Sequence, residues 1–153
     1  MQDSRFPDSH KLARQLAEDL AERMRDAIAE RGRVCIAVSG GNTPVAFFKA
    51  LSDQSLPWDK VLVTLVDERW VNDDEEGSNA RLVKDNLLIN QAADAYFLPL
   101  KNTAPTPVDG FMECENRLHE LIVRLDYAVL GMGTDGHTAS WFPQSQALAR
   151  ALD

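Results

Sequence analysis

VCIAVSGGNTP, residues 34–44, decides the fold class. Val34, Cys35, Ile36, Ala37 and Val38 form a continuous apolar run, too short for a helix, that reads as a buried strand. Ser39, Gly40 and Gly41 then turn the chain, and Pro44 suits the first position of a helix carrying Phe47, Phe48 and Leu51. A buried strand that feeds straight into a helix belongs to a βα unit, and such units build parallel sheets.

The same grammar extends in both directions. Upstream, Leu12, Leu16, Leu20, Met24 and Ile28 recur every four residues beside Ala13, Ala17 and Ala27, predicting a long amphipathic helix over 9–31 that Gly32 ends. Downstream, VLVTLV (61–66) is a second buried strand and DERWVNDDEEG a polar loop. Ser78 then caps a helix carrying Leu82, Val83 and Leu87. YFLPL (96–100) predicts a short edge strand, and KNTAPTPVDG a surface connection. A helix over 108–123 uses Met112, Leu118, Leu121 and Ile122, and LDYAVLG (125–131) predicts a third buried strand. There is no internal repeat.

Helices alternating with apolar strands predict an α/β fold, a parallel sheet with helices on both faces, in one domain spanning residues 1–153. SGGNT (39–43), DERWV (67–71) and GMGTDGH (131–137) each follow a strand. All three therefore fall at the carboxyl edge of the sheet, where open α/β folds bind ligands.

Composition sets limits on function. An apolar fraction of 44% and a charged fraction of 26% are those of a soluble globular protein. The net charge of −8, with bases scattered through helices, argues against a nucleic-acid partner, so any bound anion must be held by local devices. Cys35 and Cys114 lack the spacing of a zinc site or a disulfide framework and read as reduced and inert. No signal-peptide core and no apolar run of membrane-spanning length occurs, so the expectation is a cytoplasmic chain with no membrane partner. Nothing in the sequence indicates an oligomeric state.

In SGGNTP, adjacent glycines before a helix start let several backbone N–H groups face one phosphate at the positive end of the helix dipole. The alternative is a plain turn capped by Asn42 or Thr43. Neither a P-loop nor the dinucleotide fingerprint is matched. Arg69 can hold phosphate or carboxylate in a two-point grip, or serve in a structural ion pair. The acidic run Asp73–Glu76 reads as a solvated loop, and no metal is assigned. His137 is suited to take a proton from water near neutral pH, or else begins a helix packed under Trp141. Asp135 could orient that ring or cap a helix. His10 and His119 read as solvated. No Gly-x-Ser-x-Gly elbow or activated cysteine is present, which favours water activated by a base over a covalent nucleophile.

VSGGNTP, VDERWV followed by GSN, and GMGTDGHTASWFP, in this order and spacing, together resemble the 6-phosphogluconolactonases of the glucosamine-6-phosphate isomerase/deaminase superfamily. The resemblance covers nearly the whole chain. It implies a Rossmann-like fold and hydrolysis of 6-phospho-D-glucono-1,5-lactone to 6-phosphogluconate in the oxidative pentose phosphate pathway, without metal or organic cofactor. By position it implies a phosphate cradle of Ser39, Gly40, Gly41, Asn42 and Thr43, with Asp67, Arg69 and Gly133 as further substrate-site residues. His137 would be the general base and Asp135 its support, and backbone N–H groups near Gly131 and Gly133 would be candidate oxyanion donors.

The isomerase/deaminase branch typically has Asp-Glu-Tyr where this chain has Asp67-Glu68-Arg69, and a glutamate five residues after the histidine where this chain has Phe142. Both positions favour the lactonase. A non-catalytic effector domain would leave the Asp-Gly-His loop unused. Asn72 and Gln144 depart from the family's usual Pro and Gly, and ALARALD (147–153) reads as the interior of a continuing segment, with the C-terminal part of the family fold missing.

Overall fold

The computed structural model describes residues 3–152. Met1, Gln2 and Asp153, which belong to the stretches read above as leaderless and as a continuing segment, lie outside the described residues. The elements are α1 (Ser9–Arg31), β1 (Val34–Val38), α2 (Val45–Ser52), β2 (Val61–Leu65), α3 (Asn79–Asn86), β3 (Tyr96–Leu98), α4 (Pro107–Leu121), β4 (Tyr127–Val129) and α5 (Leu148–Leu152). The four strands are all parallel, in the order β3-β2-β1-β4.

Crossover handedness distributes the helices. The connections β1-α2-β2 and β2-α3-β3 step outward in one direction, whereas β3-α4-β4 returns across the sheet. Right-handed crossovers then put α2 and α3 on one face and α4 on the other. Val34, Ile36, Val38, Val61, Val63 and Leu65 point to the α2 face, where they meet Met24, Phe47, Phe48, Leu51, Val83 and Leu87 in one buried cluster. α1 joins this face through Ala13, Ala17, Leu20, Ala21, Met24 and Ala27. Its seam runs along the small residues, so Leu12 and Leu16, expected inside by periodicity, are exposed. Alanines let the α1 backbone come close to its neighbours, and that spacing rotates the flanking leucines outward.

The other face is thinner. β4 was expected as a buried strand, yet it is three residues long, lies at the sheet edge, and exposes Ala128. An edge strand has a neighbour on one side only, so an apolar run there is not enclosed as β1 is. α4 buries only Gly110 and leaves Val108, Phe111 and Met112 exposed, against the expectation that Met112 and Leu121 are core. Its anchor is polar: Asn102 is buried and donates to Gly110 O at 3.0 Å, so the 101–110 connection is not wholly superficial. A Cβ on Gly110 would lie 2.4 Å from the Trp70 ring, which makes glycine necessary at this contact.

β4 is also held to β1 through Asp126. Its carboxylate, 5% exposed, accepts from Cys35 N at 2.9 Å and pairs with Arg31 and Arg124. The helix boundaries follow local signals: Gly32 at φ 78 closes α1, Ser78 caps α3 through Arg81 N, and Thr106 caps α4 through Asp109 N.

Candidate active site

The strand order reverses between β1 and β4, so their carboxyl ends form the crevice where an open α/β sheet takes its ligand. Ser39 joins the two loops there. Its N–H and its hydroxyl both donate to Val129 O, at 3.1 and 3.0 Å, and the hydroxyl accepts from Gly131 N. Beyond Ser39 the chain turns through Gly41 at φ 89 into α2. Pro44 occupies the N-cap position with no side-chain capping bond, so the alternative of an Asn42 or Thr43 cap does not hold. Among the described residues, no acceptor engages the N–H groups of Gly40, Gly41, Asn42 or Thr43. These donors and the dipole of α2 present a positive edge to the crevice.

Gly40 is sterically required. A Cβ there would fall 1.8 Å from the Asn79 Oδ1. Asn79 is buried at the start of α3 and donates from its amide to Asp67 O at 3.0 Å, which brings the β1 and β2 loops together.

The β4 loop holds its imidazole from several sides. Asp135 Oδ1 is 2.5 Å from His137 Nδ1 and accepts from the His137 N–H at 3.2 Å. The His137 ring stacks on Phe142 with centroids 4.7 Å apart, and a Cβ on Gly133 would collide with that ring at 2.3 Å. No helix starts at His137, and the ring packs on Phe142 instead of lying under Trp141. Asp135 is therefore bonded to the ring and caps no helix. The His137 ring and then its backbone N–H hold the Asp135 carboxyl below the ordinary carboxylate range. An ionised Asp135 accepting from Nδ1–H leaves the lone pair of His137 on Nε2. The side chains of His137 and Asp135 are 34% and 57% exposed, so water reaches them.

Two expectations about donors change. Gly131 N donates to Ser39 Oγ and Gly133 N to His137 O, so neither N–H is available to an oxyanion. Arg69 is exposed and its guanidinium donates to Gly77 O, within its own loop. Among the described residues, no hydrogen bond ties it to the β1 turn. Glu68 caps α3, accepting from Asn79 N and Ala80 N at 2.8 Å. Sequence reasoning missed Asn79 and Ser140, whose hydroxyl donates to Asp67 Oδ2 at 2.9 Å. The buried asparagine directly after the Ser78 cap was the available signal for the first; the second had none.

A groove of about 790 Å³ lies at the opposite, amino-terminal edge of the sheet, lined by Arg31, Cys35, Leu62, Tyr96, Leu121 and Arg124 among others. It contains none of the loop residues. Cys35 and Cys114 are both free, and burial raises both thiols, that of Cys35 to about 11, as expected of inert cysteines. Among the described residues, no group of three or more His, Cys, Asp or Glu could hold a metal ion, and Asp73 in the acidic run pairs with Lys84. Among the described residues, no helix is long and apolar enough to cross a membrane.

Residues 7–153 match the family model described as glucosamine-6-phosphate isomerases/6-phosphogluconolactonase. A 6-phosphogluconolactonase of Rhizobium meliloti (strain 1021) is 51% identical over 97% of this chain and 64% of its own length. The crystal structure of a 6-phosphogluconolactonase from Shewanella baltica OS155 superposes with a TM-score of 0.92 at 43% identity, over 95% of this chain and 63% of that one. A monomeric glucosamine-6-phosphate deaminase, at 18% identity and a TM-score of 0.74, shares the fold. The chain thus spans just under two thirds of the length of these lactonase relatives.

Proposed function

The chain belongs to the glucosamine-6-phosphate isomerase/6-phosphogluconolactonase family, and on that premise we propose that it serves the hydrolysis of 6-phospho-D-glucono-1,5-lactone to 6-phosphogluconate, by water activated at His137. The observation that carries this reading is the Asp135–His137 pair, 2.5 Å apart, beside the uncapped start of α2 at the sheet's switch point. A base and an anion cradle stand on neighbouring strands, as a phosphorylated lactone requires.

In the reaction, His137 Nε2 takes a proton from water as the water oxygen adds to the lactone carbonyl carbon. The tetrahedral adduct then collapses with cleavage of the bond from that carbon to the ring oxygen, and the imidazolium returns its proton to that oxygen. Asp135 keeps the ring oriented and stabilises the imidazolium. The N–H groups of Gly40, Gly41, Asn42 and Thr43 receive the 6-phosphate, and Arg69 adds charge on swinging from Gly77 O. Residues 1–153 act as one sugar-phosphate-binding domain, or the larger part of one, in the cytoplasm. Phe142 stands where the isomerase branch has its glutamate and offers no group for a sugar proton shuttle, which supports the lactonase over the isomerase.

The test is lactone hydrolysis by the whole protein, corrected for the spontaneous rate. His137→Ala is expected to lower kcat by about 10²–10⁴-fold, the range of general-base catalysis. Asp135→Asn is expected to lower it by about tenfold, since it alters orientation while keeping the base. Enzymatic hydrolysis undiminished in His137→Ala overturns the role given to His137, and no hydrolysis above the spontaneous rate overturns the lactonase reading and leaves isomerisation or effector binding.

A further inference from the structure

Among the described residues, two hydrogen-bonded ties connect the β4 loop to the rest of the molecule. One is at its entry, where Ser39 holds Val129 and Gly131. The other is at its exit, where the Ser140 hydroxyl donates to Asp67 Oδ2 across 73 residues of sequence. The remaining bonds are internal to the loop: the two between Asp135 and His137, and those from Gly133 N to His137 O, Gly136 N to Gly133 O, Trp141 N to Thr138 O and Thr138 Oγ1 to Gly131 O. They define the shape of the loop without fixing its place. With the entry tie alone, the loop could pivot about the end of β4 and carry His137 with it.

The exit tie is built at both ends. Asp67 is held by Asn79, whose amide donates to Asp67 O and lies 3.5 Å from Asp67 Oδ1, and Asn79 is packed against Gly40 in the cradle turn. Ser140 follows Ala139, a non-glycine residue at φ 49, in the left-handed region that L-residues rarely adopt. A strained residue persists where its surroundings require it. Here it sits in the tight turn closed by the Thr138–Trp141 bridge, next to the hydroxyl that meets Asp67.

We infer that Ser140 and Asp67 form a clasp that positions the His137 loop over the crevice, Asp67 acting on the reaction through His137 and not by touching substrate. This deepens the lactonase reading, on which only the kinetic part of its test rests. Because Asn79 touches both Asp67 and the Gly40 turn, the clasp also sets the spacing between the base and the phosphate cradle. Asp67 and Ser140 are positioning residues.

The test combines amide hydrogen exchange in this chain with lactone kinetics in the whole protein for Ser140→Ala, Ser140→Thr, Asp67→Ala and the double Ala variant. Each single Ala variant is expected to speed exchange at Gly133, Gly136 and Trp141 by about tenfold, and the double variant no further, because one bond is being removed twice. kcat falls by about tenfold with KM unchanged, as for an interaction realised in the transition state, and Ser140→Thr, which keeps the hydroxyl, restores exchange and kcat. Unchanged exchange in the single variants, or additive effects in the double, overturns the clasp. So does a rise in KM at constant kcat for Asp67→Ala, which marks a substrate contact. Loop exchange that stays fast in Ser140→Thr also overturns it, whereas the expected exchange pattern in a protein that hydrolyses no lactone upholds the clasp and overturns the lactonase reading alone.

Discussion

The two faces of the sheet are built to different standards. On one, α1, α2 and α3 close over Val34, Ile36, Val38, Val61 and Val63, and Met24, Phe48 and Leu51 have no exposed surface. On the other, α4 is fastened by Asn102 and by an Arg117 hydrogen bond to Pro99 O, while Met112, Leu130 and Met132 stand in solvent. Stability resides in the first face. The His137 loop hangs from β4, at the margin of the second, so its position depends on hydrogen bonds more than on burial.

The strongest way to break this contrast is a pair of truncations. Phe48→Ala removes a fully buried ring and is expected to lower unfolding free energy by about 3–5 kcal/mol, whereas Met112→Ala, at an exposed site, is expected to change it by less than about 0.5 kcal/mol. Urea denaturation of both variants measures the difference, and comparable losses would mean that the α4 face is as well packed as the other.

Gly40→Ala probes the link between the stable face and the crevice. The new Cβ meets the Asn79 side chain, which α3 and Asp67 hold in place, and overpacking of this kind costs about 1–3 kcal/mol. Thermal unfolding should show the loss, and Asn79→Ala in the same chain should recover part of it. A neutral Gly40→Ala would show that Asn79 swings aside freely.

The smallest effect concerns Cys35, on the α4 side of β1. Burial, and after it the Asp126 charge, raise its thiol from 9.0 to about 11. The folded value is above the unfolded one, so this thiol's contribution to stability is complete below pH 9.0 and fades as pH rises through about 11. A thiol reagent at pH 8 should modify the half-buried Cys114 first and Cys35 only as the sheet opens. Equal labelling rates would show that the α4 side admits solvent down to β1.

Much of the local geometry of the candidate site was legible in the sequence. A glycine turn between β-branched residues and Pro44, and an Asp-Gly-His flanked by glycines, are local patterns whose physics is local, and both appear where they were expected. Gly133 makes room for the His137 ring four residues further on. Contacts made across the sheet were not legible. Ser140 and Asp67 are unremarkable polar residues until the fold brings them within 2.9 Å. Ser39 read as part of the cradle, yet its hydroxyl is occupied in joining β1 to β4.

Periodicity and turn chemistry alone determined the positions of α1 to α4, of the strands and their parallel class, because helix and strand periods and glycine backbone freedom act over a few residues. Which apolar residues are enclosed was decided by tertiary structure. Met24 and Met112 have the same side chain on amphipathic helices, but one is enclosed in the core cluster with residues of β1 and α2 and the other stands exposed on α4. The neighbours that enclose or expose a side chain come from distant parts of the chain, and strand order, which a local pattern does not encode, determines who they are.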